Sequence, residues 1–96
     1  METATEGDAL VLRSSLRIHT LRSEDCADFL RQAVSGSIRR IVFALDDHTD
    51  SAAVALLIAL RRALPENTAM PAMENMPPEV SGLLHLYGLE NGILTT

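Results

Sequence analysis

The sequence predicts an α/β domain with a mixed central sheet of about four to five strands and helices packed on it. Three observations point there. An unbroken apolar run, Ile41-Val42-Phe43-Ala44-Leu45, has the β-branched and aromatic members of a central strand covered on both faces. Cys26, Phe29, Leu30, Ala33 and Val34 before it, and Ala52 to Leu60 after it, carry their apolar residues on helices. The chain has 96 residues, 47% of them hydrophobic and only 3% aromatic, so a single core is filled by Leu, Val, Ile, Ala and Met.

Taken in order, Met1 to Gly7 is polar and acidic without periodicity and reads as a flexible tail, which leaves residues 8–96 as the domain. Gly7-Asp8 punctuates the start of the first strand. Leu10 and Leu12, then Leu16 and Ile18, alternate with their neighbours, which predicts a hairpin turning at Ser14-Ser15. Ser23 is the expected N-cap of the first helix, with Glu24 and Asp25 in its first turn and Gly36 as its stop. After the central strand, Asp46-Asp47-His48-Thr49-Asp50 forms a polar loop, and Ser51 opens a helix that Pro65 stops. Asn67 to Met73 is a weaker strand, confined by Pro71 to an edge or a bulge. Pro77-Pro78 starts a third helix with Val80, Leu83, Leu84 and Tyr87 on one face, Gly88 ends it, and Leu89 to Leu94 adds a short extended piece.

Composition excludes several function classes. Eight Lys and Arg against thirteen Asp and Glu give a net charge of -5, the wrong sign for attraction to nucleic-acid phosphates or anionic lipid. The longest apolar run, Ala52 to Leu60, is too short to insert across a bilayer. The lone Cys26 has no internal disulfide partner and reads as an inert buried thiol, and the N-terminus lacks the pattern of a secretory leader, so the cytosol is the expected compartment. No Gly-rich phosphate loop is present, so no nucleotide or other cofactor is expected.

Right-handed crossovers would bring the loop from Asp46 to Asp50 to the carboxyl edge of the sheet, where functional loops of open sheets gather. Asp46, Asp47, His48 and Asp50 match no metal-ligand spacing, and with Ser51 they do not make a catalytic triad, because adjacency in sequence does not supply triad geometry. Neither a metal centre nor an enzyme is expected. Ser51 has two readings: an N-cap that satisfies a backbone N–H, or a phosphoacceptor at a helix start that favours anions. The helix it opens is apolar nearly all round, so its start is either wholly buried or a docking surface on which Ala52, Ala53 and Ala55 let a partner backbone approach. Met70, Met73 and Met76 are expected mostly to fill core gaps.

The segment from Asp50 to Val54, an apolar strand followed by Asp-Ser and small residues opening a hydrophobic helix, resembles the STAS domain. The likeness extends through Leu56-Leu57-Ile58-Ala59-Leu60-Arg61-Arg62, the strand Gly7-Asp8-Ala9-Leu10-Val11-Leu12, Met76-Pro77-Pro78, and Leu86-Tyr87-Gly88-Leu89. The resemblance implies a non-catalytic module that binds a protein partner through Asp46, Asp47, His48, Asp50, Ser51, Ala52, Ala53 and Ala55. Two branches of the family imply different partners. Anti-sigma-factor antagonists bind an anti-sigma serine kinase and are switched off by phosphorylation near the helix start. The cytosolic subunit of Mla-type phospholipid ABC transporters binds the transporter ATPase. The usual phosphoacceptor position, two residues after the Asp, is Ala52 here, so Ser51 is the only hydroxyl of the motif. The glycines the family carries near the helix start and after the first strand are replaced by Ala53 and by Ser14 or Ser15.

Overall fold

The computed structural model describes residues 1–89. Their elements run β1 (Glu2–Glu6), β2 (Ala9–Ser14), α1 (Ser23–Ala33), β3 (Arg40–Leu45), α2 (Ser51–Ala63), β4 (Ala72–Glu74) and α3 (Pro78–Leu86). The sheet order is β1-β2-β3-β4, with β1 antiparallel to β2 and the other neighbours parallel. This is the mixed α/β sheet that the apolar patterning predicts. The piece expected from Leu89 to Leu94 lies, beyond Leu89, outside the described residues.

The expected flexible tail is instead the first strand. Glu6 pairs with Ala9 across the two-residue loop Gly7-Asp8, where a positive φ of 63° falls on Gly7 and not on Asp8, the pattern of a type II′ turn. The hairpin is therefore β1–β2, one element earlier than the alternation of Leu10, Leu12, Leu16 and Ile18 suggests. β1 has no apolar signature because its helix-facing contacts are polar: Gln32 of α1 donates from Nε2 to Thr3 Oγ1 at 2.9 Å and lies 3.4 Å from Thr5 Oγ1. After β2, Ser14 adopts φ 67° and turns the chain out of the sheet, so Leu16 enters the core from a loop and Ile18 is 53% exposed.

Alternation along the strands divides the sheet into two faces. Leu10, Leu12, Ile41 and Phe43 are buried with Phe29 of α1, Leu56, Leu57 and Leu60 of α2, and Val80 and Leu84 of α3. Met70 joins that core, and Met73 and Met76 pack against it half-buried, as the thioethers were expected to do. The opposite face is only partly covered, which corrects the expectation that β3 is enclosed on both sides. Val42 is half-buried and Ala44 exposed. Charged side chains lie along that face: Arg13 pairs with Glu6 across the register of Ala4 and Val11, and Arg40 joins Asp8 and Glu74, each at 2.9 Å. Aliphatic stems of such arginines shield small apolar residues while the heads stay in water, and Val11 is 6% exposed.

The cap of the first helix falls one residue before the expected Ser23. Arg22 is its N-cap and Ser23 its first residue, while Asp25 reaches back to accept from the Arg22 backbone N–H at 3.1 Å. Cys26 is half-buried against the core and not enclosed in it. Helix α2 lies between α1 and α3. Its burial is one-sided despite its composition: Ala52, Ala53, Val54, Leu56, Leu57 and Leu60 are buried, whereas Ala55 is exposed. On α3, Val80 and Leu84 point inward, but Tyr87 is 55% exposed. Among the described residues no helix is long and apolar enough to cross a membrane.

Candidate functional site

The site is assembled where β2 and β3 end. Asp46 N–H donates to Ser14 O at 2.9 Å, carrying the parallel ladder one step past the strands before the chains part. From there the loop to Asp50 is fixed by side chains. Thr49, 7% exposed, donates its hydroxyl to the Leu16 carbonyl. Leu16 is itself fully buried, so this bond satisfies a carbonyl of the loop after β2 that the core would otherwise strand. Arg17 closes the same junction from outside, its Nη1 donating to the His48 carbonyl at 3.1 Å.

Asp50, and not Ser51, caps α2. Its Oδ1 accepts from Ala52 N–H at 3.0 Å, the bond expected of an N-cap side chain, and Ser51 is the first helical residue. The same carboxylate accepts from the Ile18 backbone N–H at 3.0 Å and lies 3.7 Å from Arg17 Nε. One side chain thus ends a helix and pins the loop after β2. Local spacing shows only that Asp and Ser both suit caps; the contact to Ile18, 32 residues away, is what selects Asp50.

On the other flank, Glu79 of α3 accepts from Thr49 N–H at 3.3 Å and meets His48 Nδ1 at 3.0 Å. Its own backbone N–H, then His48, then the Thr49 N–H favour its ionised form and hold its carboxyl below the usual carboxylate range. A cleft of about 670 Å³ opens beside this contact, floored by Phe43 and Leu45 and rimmed by Asp46, Asp47, Asn75 and Glu79. Asn75 takes a positive φ of 61° there.

Of the residues singled out in the sequence, Asp46, Asp47 and His48 are exposed, Asp50 and Ser51 are half-buried, and Ala55 is exposed one turn beyond Ser51 on the same side of α2. Ala52 and Ala53 are 0% and 1% exposed. They belong to the core, where their small size lets α2 lie close to its neighbours, so they are corrected from contact residues to packing residues. Arg17, Ile18, Thr49 and Glu79 are part of the site and were not predicted. Their contacts span about thirty residues and leave no local pattern; only a Glu in a helix's first turn hinted at one of them. Among the described residues no group of three or more His, Cys, Asp or Glu is placed to hold a metal ion.

Comparison of the sequence with known protein families and with curated proteins finds no match. Comparison of the structure does. The Bacillus cell fate determinant SpoIIAA, in its phosphorylated form, superposes with a TM-score of 0.58 at 18% identity, over 92% of this chain and 83% of that one. This chain has the STAS fold. The fold is thus shared, at an identity too low for residue roles to follow. In this chain Asp50 caps α2, and Ser51 is the helix's first residue.

Proposed function

We propose that the protein is a non-catalytic regulator of the anti-sigma-factor-antagonist type, acting in the cytosol and docking a protein partner along the carboxyl edge of its sheet and the outer side of α2. The observation that carries this reading is the position of Ser51. It opens α2, is accessible in part, is relieved of capping by Asp50, and shares its surface with exposed Ile18, Asp46, Asp47, His48 and Ala55. A serine with no structural duty at a helix start is free to be modified, and an apolar residue beside acidic ones offers a partner both contact area and charge.

The structural neighbour supports the type of partner. SpoIIAA is an anti-sigma-factor antagonist and is seen in a phosphorylated form. By that analogy a kinase-type regulator, and not a transporter ATPase, binds this edge. In the modification, the Ser51 Oγ attacks the γ-phosphorus of ATP, the bond to the β-phosphate oxygen breaks, ADP leaves, and the hydroxyl proton passes to solvent or to the kinase. The product adds roughly -1.5 to -2 charge beside Asp46, Asp47 and Asp50, which repels any partner that had matched the unmodified surface.

Titration calorimetry with the cognate kinase-type regulator tests this. Ser51→Ala is expected to bind like the parent, and Ser51→Glu to bind at least about tenfold more weakly with its fold unchanged. If both variants bind like the parent, the switch does not reside at Ser51.

A further inference from the structure

Arg17 has a donor with nothing to do. Its Nε is shielded from solvent and has no hydrogen-bond acceptor, although Asp50 Oδ2 lies 3.7 Å away. The reason is geometric. Asp50 already accepts from the N–H groups of Ile18 and Ala52, and Arg17 is tethered through Nη1 to the His48 carbonyl, so the guanidinium pairs with the carboxylate as an ion but stays beyond hydrogen-bond reach of it. A buried N–H in that state is costly, and it is uncommon in a well-packed fold.

The residue after Asp50 is Ser51. A phosphate there brings three strong acceptor oxygens to the residue that follows the carboxylate Arg17 flanks, and the planar fork of a guanidinium suits phosphate in a bidentate arrangement. Every other ionisable group of this loop, Asp46, Asp47, Asp50 and, across it, Glu79, carries negative charge when ionised, apart from His48, which is turned toward Glu79. Arg17 is therefore the one cation the described structure places in contact with the start of α2.

We propose that Arg17 is the receiving group for a phosphate on Ser51: its idle Nε donates to the phosphate and ties the loop after β2 to the modified helix start. This rests on the reading of Ser51 as a phosphorylated residue. It adds that a positioned arginine ties down the phosphate and offsets part of its charge, while the rest still faces a partner. It also places exposed Ile18, the residue after Arg17, on the segment that the phosphate grips, so the modification alters an apolar contact as well as a charge.

The test is a phosphorus NMR titration of protein synthesised with phosphoserine at position 51, with no partner present. Arg17→Gln is expected to raise the second pKa of the phosphate by about one unit, because the ionised form loses its cation, while Asp50→Asn lowers it by removing a like charge. Arg17→Lys is expected to recover at least half of the shift, since it keeps the charge and loses only the fork. The proposal is overturned if Arg17→Gln, still folded by circular dichroism, moves that pKa by less than about 0.3 units while Asp50→Asn does move it, or if Arg17→Lys recovers nothing. Because no partner enters the titration, an Arg17-independent phosphate sinks this proposal alone. A phosphate that Arg17 grips but that leaves partner binding unchanged sinks the switch alone.

Discussion

At the carboxyl ends of β2 and β3 the chain is held mainly by side chains of four residues, whereas at the opposite edge backbone groups hold it together with one side chain, Arg40, which pairs with Asp8 and Glu74. Thr49, Asp50, Arg17 and Glu79 each reach a group about thirty residues away at the first edge. At the second, Arg39 N–H donates to Asp8 O at 2.8 Å and Ala72 N–H to Arg39 O at 3.0 Å. Beside those bonds lies an apolar groove of about 490 Å³ lined by Val34, Ile38, Leu64 and Met70. Backbone closure tolerates many sequences; side-chain closure demands the right residue at each position. The edge that carries Ser51 is the one where more of the closure depends on side-chain identity.

Both edges depend on one core, so the largest effect comes from removing it. Leu60→Ala, at a site with 0% exposure, is expected to cost about 2–5 kcal/mol in chemical denaturation. That loss would weaken both edges together, a large share of a small domain's stability. A finer cut separates two adjacent residues. Asp50→Ala is expected to destabilise by about 1–2 kcal/mol through the lost cap, with faster amide exchange at Ile18, while Ser51→Ala changes stability by less than about 0.5 kcal/mol. Equal losses would return the cap to Ser51 and remove the contrast between the two positions.

The smallest effect concerns Glu79. Its folded carboxyl titrates below the ordinary value of 4.5, so its contribution to stability is complete above that value and disappears as pH falls through the lowered one. Glu79→Gln should therefore flatten the acid limb of the stability profile below about pH 4.5 and leave the neutral range nearly unchanged. Acid unfolding followed by circular dichroism reads this directly. An unaltered acid limb would mean that the clasp between α3 and the β3 loop contributes nothing.

Much of this organisation is legible in the sequence, and the failures share a physical cause. The apolar run at Ile41 to Leu45 and the helical spacing of Phe29, Ala33, Leu57 and Leu60 report burial directly, so β3, α1 and α2 follow from them. β1 does not, because Glu2-Thr3-Ala4-Thr5-Glu6 is an edge strand satisfied by hydrogen bonds and exposed carboxylates, and its only local sign is the Gly7 turn. Leu16 and Ile18 imitate a strand because alternation cannot reveal that the chain leaves the sheet after Ser14. The place of the 46–50 loop at the carboxyl edge was legible from the predicted topology; the side chains that surround it there were not. Burial removes Ala52 and Ala53, and only tertiary contacts add Arg17, Thr49 and Glu79.

Docking of the proposed partner at the Ser51 edge can be read by amide chemical-shift mapping during titration with the cognate kinase-type regulator. Broadening or shifts are expected at Ile18, His48, Ser51 and Ala55, with Val34, Gly36, Ile38 and Met70 unmoved. Perturbation confined to the second set, around the apolar groove at the opposite edge, would contradict docking at the Ser51 edge.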